Sequence, residues 1–210
     1  MKVVKLSDSV ESSHLLDLSV KQFLDVLGEP SPAPAAGSTL ALAVAFAAGL
    51  CMKTAQLSKR QINDATSIAD LLLQLRDRSA LLCQLDADAY VQLIQERRKQ
   101  RLRQVADDSD ATANNTLDVA SDVPYEIATI AVQVGEIAAN LAENGNPNLI
   151  GDSFSAALLS ESAMRSALAL VAINLNITDD GEHLPQWHEL LMRGNASSAR
   201  ARQAVISRRS

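Results

Sequence analysis

Aromatic residues are nearly missing from this chain: one tryptophan, two tyrosines and three phenylalanines make up 3% of its 210 residues. A core must then be assembled from alanine, leucine, valine and isoleucine, and the 47% hydrophobic content is enough for one sizeable domain. The same shortage removes the aromatic interleaving on which nucleic-acid bases stack. Cysteine is scarce too. Cys51 and Cys83 have no close-spaced partner, which argues against a disulfide framework or a metal knuckle and makes both of them small core residues. Long hydrophobic runs are also lacking: the one from Leu40 to Met52 stops at Lys53, short of the about 20 residues that a membrane span needs. The first residues, "MKVVKLSDSVESSHLLDLS", alternate polar and apolar positions and do not form a signal peptide. A soluble, cytoplasmic protein with no membrane partner is expected. The net charge of -6 argues against a nucleic-acid partner. Its basic clusters, "RRKQRLR" at 97–103 and five arginines after residue 192, read as solvated helix faces.

Glycines and prolines are few and stand where helices should end, which is the punctuation of an all-α chain. The pattern predicts helices from about Ser19 to Leu27, from Ser38 or Thr39 to about Ser58, and from Ile62 to Leu85. In the last of these, Ile68, Leu72, Leu75 and Leu82 keep a helical stripe. A further stretch continues it or restarts after Asp86, and "ADDSDATANNT" is a surface break. The next helix starts near Thr112, is interrupted at "SDVPYE" with Pro124 in a new first turn, and runs to Glu143. Asn144-Gly145 is expected as a left-handed C-cap, Asp152 as the N-cap of the following helix, and a last helix begins near Leu184. The sum is a single-domain helical bundle of six to eight helices.

Small residues recur along two of these helices. Gly37, Ala41, Ala45 and Gly49 repeat every four positions, and Ala156, Ala163 and Ala167 form a second low-profile stripe. Such edges allow close helix crossing, within the chain or against a second copy, so a homodimer is expected.

The order of "PSPAPAAGSTLALAVAFAAGL", "LDADAYVQLI", "ATANNTLDVASDVPYEIATIA" and "ENGNPNLIGDSFSAALLSESAMRSALALVAINL" resembles the cyclodeaminase/cyclohydrolase family over about residues 18 to 178. That family includes the cyclodeaminase half of formiminotransferase-cyclodeaminase and the stand-alone methenyltetrahydrofolate cyclohydrolase. The resemblance implies an all-α dimer acting on the one-carbon unit of a tetrahydrofolate derivative, with no metal. Little sequence precedes residue 18, so the stand-alone hydrolase is the expected relative. Asp152 and Asp86 are implied as catalytic groups, and Pro34, Gly37, Ser38, Lys59, Asn146 and Asn148 as substrate contacts. The turn at Gly37-Ser38 would offer free N–H groups to a folate carboxylate or a pterin edge.

Each residue also has a plainer reading. The Pro32 to Ser38 stretch is a helix boundary, Asp86 and Asp88 point apart on a helix, Asp152 caps, and Asn146 and Asn148 stabilise a turn around Pro147. His14, His183 and His188 have no visible chemical partner, and the last two are not on one helix face. Departures from the family pattern fall near the implied site: Ala35 and Ala36 replace glycines, Phe154 stands where a glycine is usual, and Leu170 and Ala172 replace polar residues. Two functions therefore stand open. One is a folate-dependent cyclohydrolase or cyclodeaminase; the other is a re-purposed helical dimer of the same fold that binds another small ligand or a protein.

Overall fold

The computed structural model describes residues 14–103, 111–175 and 185–208, and among these there are six α-helices, two short 3-10 turns and no strand. They are α1 (Val20–Leu27), α2 (Ala36–Gln56), α3 (Ala65–Arg103), α4 (Ala111–Asn144), α5 (Ile150–Asn174) and α6 (Pro185–Ser207). Helix α4 packs against α2, α3, α5 and α6, and α2 packs against α3 and α5. The core between them follows the composition: Leu72, Leu82, Ile127, Leu141, Met164, Val44, Val132 and Val134 are its largest fully buried apolar side chains, with alanines filling the crossings.

Local chemistry accounts for several boundaries. Ser19 starts α1 with a capping box, its Oγ accepting from the Gln22 N–H at 3.3 Å while Gln22 Oε1 accepts from the Ser19 N–H at 2.9 Å. Other boundaries differ from the sequence expectation. Helix α2 begins at Ala36, ahead of the Ser38-Thr39 hydroxyl pair, because a side chain from α3 satisfies its first turn. Helix α3 runs through Asp86 without a break, one of the two courses left open there, whereas α4 runs through Pro124 as one helix against the expected interruption. An internal proline costs about 3 kcal/mol. Here Val123 and Tyr125 pack against the core beside it, and Ile127 and Ala128 lie inside the core, so tertiary burial outweighs the missing hydrogen bond.

Gly145 is not left-handed. Its N–H donates to Leu141 O at 2.9 Å, and a Cβ there would lie 2.5 Å from that oxygen and 3.0 Å from Ser58 Oγ. The glycine is required mainly by the tight turn over the Leu141 carbonyl at the end of α4, and Ser58 in the turn between α2 and α3 leaves little room beside it. Asp152 is not an N-cap either: the 3-10 turn Pro147–Leu149 runs straight into α5, Leu149 takes the cap position without a side-chain bond, and Asp152 sits in the first helical turn.

The two low-profile stripes meet the expectation in part. Ala41, Ala45, Ala156, Ala163 and Ala167 are buried, and α2 and α5 pack together, whereas a Cβ at Gly49 would touch nothing within 4 Å. Both α2 and the segment Pro147–Asn174 are long and apolar enough to cross a membrane, contrary to the reading of the run as too short. They are core helices of the bundle. Cys51 and Cys83 are buried free thiols; desolvation pushes Cys51 far up, and desolvation together with Asp86 pushes Cys83 up to about 12, so both are inert.

Candidate functional site

The N-terminus of α2 is organised by Asp86, which α3 carries past it. Ser38 Oγ donates to Asp86 Oδ2 at 3.0 Å, and the Ser38 backbone N–H also bonds this carboxylate. Ala35, the cap residue, supplies no side-chain bond, so Asp86 takes over the work of an N-cap from 48 residues away. Burial pushes the Asp86 carboxyl above its ordinary value, while the two Ser38 hydrogen bonds pull it back. Gly37 is explained by the same contact: a Cβ at residue 37 would lie 1.9 Å from Asp86 Oδ1. The expectation of a free N–H at Ser38 is therefore corrected. Gly37 and Ser38 are buried and hold Asp86, not an open ligand surface.

Pro34 follows a cis peptide bond and lines a cleft of about 530 Å³ with Leu27, Ser31, Ala35, Ala36, Thr39, Leu40, Ser166 and Leu170. Its walls are apolar with three hydroxyls. The methyl groups of Ala35 and Ala36 line this cleft without filling it. Phe154 lies elsewhere, half-buried and packed against the core.

At the other end of α2 a second cleft of about 500 Å³ is lined by Gln56, Leu57, Lys59, Arg60, Gln61, Asn146, Pro147 and Asn148. Asn146 holds its walls together: its N–H donates to Ser58 Oγ at 2.9 Å, its Nδ2 to Leu57 O at 3.2 Å, and its Oδ1 accepts from the Asn148 N–H at 3.0 Å. Lys59 and Arg60 are exposed and have no ion-pair partner among the described residues. One turn from this cleft on each side, Lys53 Nζ meets Asp152 Oδ2 at 2.7 Å.

The expected site residues thus form two groups. Pro34, Gly37, Ser38 and Asp86 lie at one end of α2; Lys59, Asn146, Asn148 and Asp152 lie at the other. Ser38 and Lys53 are separated by about 22 Å along the helix at 1.5 Å per residue. One copy of the chain does not bring its two carboxyl candidates together. Thr39 and Ser166 were not among the expected site residues, and the pairing of Lys53 with Asp152 was not expected. Lys53 interrupts an apolar face, which singles it out in the sequence, but a partner 99 residues away has no local signal. Among the described residues no three His, Cys, Asp or Glu side chains gather as a metal site. His14 accepts from the Leu16 N–H at 3.4 Å, His188 is exposed, and His183 lies outside the described residues.

The sequence profile of the formiminotransferase-cyclodeaminase family matches residues 19–191, from the cap of α1 into the first turns of α6. The chain belongs to that family. As a member of the formiminotransferase-cyclodeaminase family it is similar to the methenyltetrahydrofolate cyclohydrolase of Methylorubrum extorquens, with 25% identity over 201 residues that cover 90% of this chain and 97% of that protein. It also shares the fold of the formiminotetrahydrofolate cyclodeaminase of Thermotoga maritima, with a TM-score of 0.73, 23% identity, and coverage of 91% and 96% of the two chains. The family match includes both ends of α2, so both groups of site residues lie within it.

Proposed function

We propose that this chain is a soluble, cytoplasmic enzyme that acts on the one-carbon unit of a tetrahydrofolate derivative, as a methenyltetrahydrofolate cyclohydrolase or a formiminotetrahydrofolate cyclodeaminase, and that it works as a homodimer. The observation that carries the reading is the distribution of family site residues over both ends of one helix. Antiparallel pairing of α2 with α2 of a second copy sets the Asp86 end of one chain beside the Asp152 end of the other. The outer face of α2 suits that pairing: Phe46 is 62% exposed at mid-helix, Leu42 and Leu50 flank it, and the space over Gly49 is open.

In the hydrolase reaction, water adds to the cationic methenyl carbon while a base takes one of its protons. The hydroxyl of the adduct then loses its proton as the C=O forms, one C–N bond breaks, and the departing nitrogen takes up a proton. The products are the formyl compound and one released proton. No step in that balance calls for a metal. Asp152, exposed enough to meet water, is the base; Asp86, desolvated and without a basic partner among the described residues, is the carboxylate that favours a cation nearby. Lys59, Arg60 and Asn148 receive the folate carboxylates, and Pro34 shapes the slot for a ring. Gly37 and Ser38 act by holding Asp86.

Purified chain should accelerate the loss of methenyltetrahydrofolate absorbance or, for the deaminase, the release of ammonia from the formimino compound, without added metal. Neither turnover nor binding of any folate by the dimer would overturn the reading in favour of a re-purposed scaffold.

A further inference from the structure

Helix α2 contains a single charged residue, Lys53, on the outward face that also carries Phe46 and Leu50. Its ammonium is engaged in one contact, with Asp152 Oδ2 at 2.7 Å. Both ends of this contact are favourably placed: the cation lies in the last turn of α2 and the anion in the first turn of α5, where the helix dipoles favour each sign. An exposed ion pair of this kind adds little to stability, which is little reason to interrupt an apolar face with a lysine. Asp152 does not cap α5, so no backbone bond fixes its rotamer. Among the described residues Lys53 is its one hydrogen-bond partner.

We propose that Lys53 is the positioning residue for Asp152: it ties down Oδ2 and leaves Oδ1 to take the proton of the attacking water. The inference rests on the folate reading above and deepens it. Lys53 touches neither the substrate nor the reacting atoms. Its work is to keep a surface carboxylate in one rotamer beside the cleft of Gln56, Lys59 and Asn148, because a misplacement of about 1 Å costs on the order of a hundredfold in rate.

The test uses the full-length chain with Lys53→Met and Lys53→Arg, each checked for folding by circular dichroism. Lys53→Met should lower kcat by about tenfold or more with KM changed by less than about twofold, and Lys53→Arg should recover most of the loss. On an Asp152→Asn background the Lys53→Met change should have no further effect on kcat. NMR couplings at Asp152 should report one side-chain rotamer in the wild type and averaging in Lys53→Met. Unchanged kcat in Lys53→Met, a rise in KM alone, or the same single rotamer with and without the lysine would each overturn the proposal. A wild-type chain that neither turns over nor binds a folate overturns the functional reading instead, and the rotamer measurement still decides whether Lys53 positions Asp152.

Discussion

Gly37 and Asp86 occupy one space: a methyl group at residue 37 would sit 1.9 Å from the Asp86 carboxylate oxygen. The helix start at Ala36 and the orientation of a candidate catalytic group are therefore a single arrangement. Gly37→Ala should cost about 1 to 3 kcal/mol through overpacking, and it should displace Asp86 from Ser38. Urea unfolding measures the first effect, and any folate-linked activity should fall with the second.

Gly49 provides the contrasting case. Within one chain an alanine there meets open space, and in a helix interior it should stabilise by about 0.5 to 1 kcal/mol. If α2 pairs with a second copy across this face, Gly49→Ala should instead weaken association. Unfolding measured over a range of protein concentrations separates the two effects.

Phe46→Asp places a charge in the middle of the proposed contact. The wild-type chain should sediment as a dimer at micromolar concentration. The variant should lose at least about 2 kcal/mol of association energy, the scale of a central anchor, while keeping its helical content, since Phe46 is exposed in the single chain. A monomeric wild type would contradict the composite site.

Asp152→Asn should reduce turnover by about a hundredfold or more, as expected for a general acid-base group. Because this carboxylate belongs to an exposed ion pair and does not cap α5, the change in stability should stay within about 1 kcal/mol. A large loss of stability with unchanged rate would reverse the assignment.

Asp86 makes stability depend on pH in a defined direction. Its folded carboxyl holds its proton to higher pH than the unfolded one, so between the ordinary aspartate range and its raised value the folded chain binds more protons. Stability should therefore fall as pH rises through that window, and the cost should be fully present above it. Asp86→Asn keeps an acceptor for Ser38 and removes the charge, so the slope should flatten. Unfolding curves from pH ~4 to ~8 bracket the titration of a raised carboxyl; an equal slope in the variant would show that another group is responsible.

Elements whose cause is local were legible in the chain. The helix start at about Ser19, the stripe of Ile68, Leu72, Leu75 and Leu82, and the stop before Pro147 each follow from residues close to one another in the chain. The all-α class and the family came from the same kind of signal, the first from punctuation and the second from four motifs in order. Where the sequence pointed to a break, at Pro124, the helix runs on, because burial against neighbouring elements outweighs a local preference.

What tertiary structure decided is who meets whom. Ser38 and Asp86 are 48 residues apart, Lys53 and Asp152 are 99 apart, and Ser58 reaches the Asn146 N–H across 88. Residue types and helical periodicity set by themselves which faces are apolar and where helices can start. Antiparallel packing of α3 and α5 on α2 then carries one carboxylate to each end of that helix. No spacing along the chain encodes that result, because it depends on which side chains fill the core between the helices and how far each must slide to fill it.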